Sequence, residues 1–276
     1  MNTLTTQKRA QVIAALVEGN SIRSTVRMTG VAKNTVIKLL VDLGAACERY
    51  QREHLNGLNC RHIQCDEIWS FCYAKGKNVP KEKIGQFGFG DVWTWVAIDA
   101  DSKLAISWLV GKRTAEYAKA FIDDLSSRLA HRVQLTTDGL RVYLTAVEGV
   151  FGADIDYAML IKLYGEDRSE DTKYSPPKCI GCESAAIIGN PDPRHISTSF
   201  VERQNLNMRM SMRRFTRLTN AFSKKIENLA HAVSLHFFYY NYGRIHQTLR
   251  VTPAMQAGVS DHVWTLEEIA SLLNSD

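Results

Sequence analysis

No stretch of this sequence is apolar over the length that a membrane span requires, so a membrane-spanning protein is not expected. Residues 1–11 are polar and lack the apolar segment of a secretory leader, which points to the cytoplasm. Cysteine is sparse, with six in 276 residues, too few for the disulfide framework of a small secreted domain. Proline is equally sparse at six. Four of these, Pro176, Pro177, Pro191 and Pro193, fall within 165–195, which predicts a long loop or small insertion there. The most telling shortage is local. Residues 203–225 contain no aspartate or glutamate, yet hold Arg203, Arg209, Arg213, Arg214, Arg217, Lys224 and Lys225. A surface serving only solubility mixes both signs, so this stretch reads as an anion-binding face. The chain as a whole carries a formal net charge of +5, which permits a polyanionic partner without requiring one.

With 45% hydrophobic residues the chain can bury a sizeable core, and its patterning divides into a small helical unit and a larger mixed one. Residues 7–18 carry Ala10, Ile13, Ala14 and Val17 at helical spacing. A second short helix is expected over 22–28, then a tight turn at Thr29-Gly30-Val31. A third, capped by Asn34 or Thr35, runs through Leu43 with Val36, Leu39 and Leu40 inward. Two helices across a glycine turn, the second opening with Lys33, Asn34, Thr35 and Lys38, fit a helix-turn-helix over 1–50. In that motif the N-terminal residues of the second helix enter the major groove. Any small three-helix unit shares this pattern. Residues 48–59 are charged and polar and read as a helical linker ending near Asn56-Gly57, placing the domain linker at 51–60.

From residue 61 the period changes to that of strands. Over 61–71, Ile63, Cys65, Trp69 and Phe71 share one face, with His62, Gln64, Asp66 and Ser70 on the other. Residues 92–98 and 104–110 form a hairpin around Asp99-Ala100-Asp101-Ser102. A helix from Thr114, a strand over 133–137 ending at Asp138, a helix over 142–150 and a strand over 157–163 follow. Helix resumes near Ser199 and continues, with a break at Thr219-Asn220, to about Tyr242. Three strands, a helix, a strand, a helix and a strand is the order of a ribonuclease-H-like mixed sheet flanked by helices. The expectation is therefore an α/β domain over 61–255, interrupted by the insertion at 165–198, with a helical tail over 256–276.

Within that frame Asp66 and Asp138 would meet at the centre of the sheet. An acidic residue in a core-forming strand is costly unless it is paired or holds a metal. Glu67 competes with Asp66 as a ligand, although its alternation places it with the core-facing set. Asp138, followed by Gly139, also suits a turn. Glu202 opens a basic helix that bears Asn205 and Arg209 on the same face. Carboxylates of this kind suit Mg²⁺, and two such ions can stabilise both the attacking and the leaving oxygen of a phosphoryl transfer.

Four segments carry a resemblance: Cys65-Asp-Glu-Ile-Trp-Ser-Phe71, Gly90-Asp-Val-Trp-Thr-Trp-Val-Ala-Ile-Asp99, Leu135-Thr-Thr-Asp-Gly139 and Ser199-Phe-Val-Glu-Arg-Gln-Asn205. Together with Tyr240-Asn-Tyr-Gly-Arg-Ile-His246, Leu249 and Thr252-Pro253, the chain resembles a bacterial insertion-sequence transposase of the DDE type, in the insertion-element-one-like branch. The resemblance implies Asp66, Asp138 and Glu202 as catalytic ligands of two Mg²⁺ (or Mn²⁺) ions, with water cutting the element end and the freed 3′-hydroxyl attacking target DNA. It implies double-stranded DNA as partner (terminal inverted repeats and target) and a homodimer or larger synaptic assembly. It also places Arg244 and His246 beside the scissile phosphate. Lys33, Asn34, Thr35, Lys38, Asn205, Arg209, Arg213 and Arg214 are the further DNA-binding candidates.

Two features depart from that pattern. The interval from Asp138 to Glu202 is longer than in integrase-like relatives, which makes Glu166, Glu170 and Glu183 alternative third ligands. The zinc-finger cysteines that some relatives carry near the N-terminus are missing. Cys179-Ile-Gly-Cys182 is half of a structural Zn²⁺ site, for which Cys60, His62 or His195 would have to supply the rest. A ribonuclease-H-like nuclease or resolvase without strand transfer, and a non-catalytic helix-turn-helix regulator, are the alternative functions.

Overall fold

The computed structural model describes residues 4–165, 179–216 and 219–274. Three helices come first: α1 (Thr6–Val17), α2 (Ile22–Thr29) and α3 (Lys33–His54). The Ser21 hydroxyl caps α2 by accepting from the Ser24 N–H at 3.1 Å, and Gly30 ends the helix at φ +69°, a conformation that glycine adopts without strain. Helix α3 starts at Lys33 after Ala32, with no side-chain cap, so neither Asn34 nor Thr35 is the cap that the sequence led us to expect. It also runs unbroken into the expected helical linker, as far as His54. Its second half is polar on one side only, while Leu43, Gly44, Cys47 and Gln51 are buried. Gly44 permits a close crossing with α7 (Ile226–Phe238), since a Cβ there would lie 2.4 Å from the His231 Cβ. The N-terminal helices therefore share their core with the sheet: Ile13, Val17, Leu40 and Leu43 join the same buried cluster as Ile63 and Trp95.

The sheet has six strands: β1 (His62–Cys72), β2 (Gly90–Asp99), β3 (Ala105–Gly111), β4 (Gln134–Asp138), β5 (Asp156–Tyr164) and β6 (Cys179–Ile188). Their order is β3-β2-β1-β4-β5-β6. Strands β1, β4 and β5 run parallel, and β2, β3 and β6 pair antiparallel to their neighbours, so the sheet is mixed. Helix α4 (Ala115–Ser127) leads from β3 to β4, and α5 (Val142–Phe151) is the crossover between the parallel strands β4 and β5. Helix α6 (Ser199–Ser211) covers the other side of β1, where Gln64 Oε1 accepts the Phe200 and Val201 N–H groups. That contact explains why the face bearing Gln64 and Ser70 is buried rather than solvated, against the simple alternation read from the sequence.

The proline-rich stretch expected to be a loop or insertion contributes β6, whose side chains are half-buried or exposed. It holds its place through backbone pairing with β5. Beyond α6, a buried Phe215 and the helix α7 follow, and α7 widens into a π-helical turn over Tyr239–Gly243. The chain closes with α8 (Pro253–Gln256) and α9 (Leu266–Ser271), and α9 packs on α1. Among the described residues no helix is long and apolar enough to cross a membrane.

Candidate metal centre

The pairing of β1 with β4 ends at Cys65 opposite Thr137, which sets Asp66 beside Asp138, the last residue of β4. Past that point β4 has stopped, leaving a gap beside β1. The gap brings in Glu67 as well: one carboxylate oxygen each from Asp66, Glu67 and Asp138 lie within 4.8 Å of one another. Among the described residues these form the single group of three or more side chains able to hold a metal ion. Glu67 thus fills two roles that looked exclusive in the sequence. Its side chain is wholly buried and ion-paired to Arg113 at 3.1 Å, yet it faces the two aspartates.

Each carboxylate is held by its own partners. Asp66 Oδ1 accepts the Glu67 N–H at 2.8 Å, and Oδ2 accepts from Asn205 Nδ2 at 2.8 Å. Asp138 Oδ1 accepts the Leu140 N–H at 3.0 Å, a link that also sets the turn after β4. Arg113, directly after β3, reaches Glu67 through Nε and Nη2 and lies 3.7 Å from Asp138 Oδ2, with its guanidinium 4.6 Å above the Trp93 ring. Arg113 was not legible as a site residue. It is one basic residue after a strand, and only the hairpin returns it to Glu67.

Burial raises all three acids. Burial first and then the Asp138 charge push Asp66 up to about 7, against the lowering effect of the Glu67 N–H and Asn205. Burial and Asp138 likewise push Glu67 up to about 7. The Tyr143 hydroxyl beside it lowers the value slightly; no standard hydrogen bond joins the two, since Glu67 Oε1 and Tyr143 Oη are both buried without one. Asp138 is raised by burial, then partly restored by the Leu140 N–H and Arg113. One arginine does not neutralise three crowded acids, and a divalent cation would. The donor set fits such an ion: hard oxygens, with Glu67 Oε1 and Asn205 Oδ1 both buried and without a hydrogen-bond partner.

Glu202 lies on α6, near enough for its charge to raise both Asp66 and Asp138. Its carboxylate is engaged elsewhere: Oε1 accepts from the Thr198 hydroxyl at 2.5 Å, and Oε2 is ion-paired with Lys162 of β5. Of the alternative third acids, Glu183 is exposed on β6, and Glu166 and Glu170 lie outside the described residues.

The other expected residues fall into separate places. Lys33, Asn34, Thr35 and Lys38 are exposed at the start of α3, where Lys38 is ion-paired with Asp42. Asn205 is buried against Asp66, and Arg209 is half-buried. Arg213 is exposed, whereas Arg214 turns inward to the Ser223 hydroxyl at 3.1 Å, and burial lowers its pKa to about 10. Arg244 is exposed and reaches Ser211 Oγ at 3.5 Å; the His246 ring meets Thr248. Cys179 and Cys182 are exposed on β6, while Cys60 is buried and His195 stacks on His62 at 3.8 Å. These side chains do not assemble into a zinc site among the described residues.

No family model and no curated protein matches the sequence. Among solved structures, the chain is similar to a piggyBac transposase in a synaptic complex with hairpin DNA. The identity is 10% and the TM-score 0.41, over 99% of this chain and 71% of that one.

Proposed function

We propose that this chain is a DNA transposase of the DDE type, carried by a bacterial insertion sequence. It would cut DNA at the element ends and join the freed 3′-hydroxyl to target DNA. The observation that supports the reading best is the meeting of Asp66, Glu67 and Asp138 at the open end of β4, with oxygens within 4.8 Å. Mg²⁺ or Mn²⁺ bound there would supply Lewis-acid stabilisation of the attacking and leaving oxygens of a phosphodiester. Asp66 and Asp138 provide the ligand oxygens, and Asn205 fixes the rotamer of Asp66. Arg113 orients Glu67 and Asp138 and offsets their charge. Glu202 completes the set from α6 by exchanging its contact with Lys162 for the centre.

DNA is the substrate that the basic residues suit. Lys33, Asn34, Thr35 and Lys38 stand exposed at the start of α3, after a glycine turn, the place from which a helix-turn-helix reads the terminal repeats. Arg209, Arg213, Arg244 and His246 serve the phosphate backbone. Joining needs two element ends at once, so the active form is a dimer or a larger synaptic assembly.

The test is incubation of the protein with labelled DNA carrying the element's flanking ends, in Mg²⁺ or Mn²⁺, for the wild type and Glu202→Gln. Cutting and joining that disappear in the variant support the reading. Cutting without joining by the wild type indicates a nuclease or resolvase. Sequence-specific binding with no cutting indicates a regulator.

A further inference from the structure

A groove of about 1350 Å³ lies between the N-terminal helices and the segment that connects α6 to α7. One wall is the start of α2 and the exposed face of α3. The other is Arg213 together with residues 219–228. The turn before α2 packs closely on the end of α6: a Cβ added at Gly19 would lie 3.1 Å from the Met210 carbonyl.

Its charge is one-sided. Seven basic side chains line it against two acids. Asp42 is paired with Lys38, and Arg214 is turned to Ser223. Arg23, Lys33, Arg213, Lys224 and Lys225 are exposed along it, with Glu227 as the remaining acid. Lys224 stands 3.9 Å over the Phe222 ring, which directs its ammonium group. The beginnings of α2, α3 and α7 all border the same groove. Helices α3 and α7 begin after Ala32 and Lys225 with no side-chain cap, so their first N–H groups and positive dipole ends are available to an anion. Cationic side chains spread along a groove, with two uncapped helix starts, fit a row of phosphates better than one small anion.

We propose that this groove seats the sugar–phosphate backbone of duplex DNA, so that the α2–α3 unit and, on the opposite wall, Arg213, Lys224 and Lys225 grip one continuous stretch of DNA. The assignment rests on the nucleic-acid reading above and adds Arg23, Lys224 and Lys225 to it. It does not depend on the carboxylate centre.

The test is binding of the full chain to a labelled random-sequence duplex of about three helical turns, titrated from about 50 to 200 mM salt. Each phosphate contact adds about 0.9 to the slope of log affinity against log salt. The Arg23→Ala/Lys33→Ala/Lys225→Ala variant should bind at least tenfold more weakly, with a slope shallower by about 2 to 3. A control with as many charges removed elsewhere, Lys8→Ala/Arg52→Ala/Lys119→Ala, should keep the wild-type slope. Melting curves of both variants show whether the fold is intact. Equal slopes for the groove variant and the wild type would overturn the proposal, as would preference of the wild type for an RNA duplex of the same length. If the slope is unchanged while metal-dependent cutting persists, the groove assignment fails and the transposase reading stands; the converse result separates them the other way.

Discussion

Asn205, in the second turn of α6, donates a 2.8 Å hydrogen bond to Asp66 in the middle of β1. The two residues are far apart in sequence, and the bond ties the helix that carries Glu202 to the strand that carries the first aspartate. Asn205→Ala removes a donor from a carboxylate that burial already holds near pKa 7. It should weaken Mn²⁺ binding by roughly tenfold, as loss of a hydrogen bond that orients a ligand does. Calorimetric titration with Mn²⁺ measures this, and Asn205→Gln should not restore it, because its amide is one methylene out of place.

Arg113 and Glu67 form the ion pair beneath the centre. Arg113→Ala leaves Glu67 buried beside two other acids and should cost about 3 kcal/mol, the low end for a broken buried pair because Arg113 is partly exposed. Glu67→Gln in the same background should recover part of that loss. Urea melts of the two single variants and the double variant give the coupling directly.

Two glycines in helices make opposite forecasts. Gly149 in α5 is exposed, and a Cβ there meets nothing within 4 Å, so Gly149→Ala should stabilise by about 0.5–1 kcal/mol. Gly44→Ala gains the same helix propensity but drives a methyl group into His231, at 2.4 Å from its Cβ. Overpacking dominates there, and Gly44→Ala should destabilise by about 1–3 kcal/mol. Thermal melts of the two variants should therefore shift in opposite directions.

His236 supplies a pH forecast. It is buried in α7, and burial first, with the Arg244 charge second, lowers its pKa to about 3. The neutral ring is the form that folds, whereas the unfolded chain takes up the proton near the ordinary histidine value of about 6.5. Between those values the unfolded state binds more protons, so stability from this residue is complete above about 6.5 and is lost as pH falls toward about 3. Asp66 and Glu67 oppose that slope: the folded form holds their protons up to about pH 7, which favours folding as pH falls. The difference between wild type and His236→Gln isolates the histidine, and should grow steadily in acid in urea melts taken over that range.

Much of the fold could be read from the chain because its signals are local. The alternation around Asp66, the strand ending at Asp138 and the helical spacing before Gly30 are each set by a few neighbouring residues, and each appears within a residue or two of its expected place. What could not be read depends on partners distant in sequence. Strand β6 has little apolar alternation and follows the prolines; it exists through backbone pairing with β5. The second half of α3 reads as a charged helical linker, and its packing on α7 is not visible in it. The same holds for the site. Asp66, Asp138 and Glu202 stand out by residue type and setting, whereas the part played by Glu67 follows from the early end of β4, and Arg113 acts through a hairpin that no local pattern links to it.

In the proposed function Asp66 and Asp138, joined by Glu202, hold divalent metal for cutting DNA. The most direct measurement is product analysis on end-labelled element DNA for the wild type and Asp66→Asn, each with Mg²⁺ and with chelator. Cut ends bearing a 3′-hydroxyl, and joined products, are expected from the wild type in Mg²⁺ alone. At least a thousandfold loss is expected in Asp66→Asn, the scale on which removing one charge-stabilising group acts. Cutting by Asp66→Asn at the wild-type rate, or undiminished cutting in chelator, would contradict the proposed function.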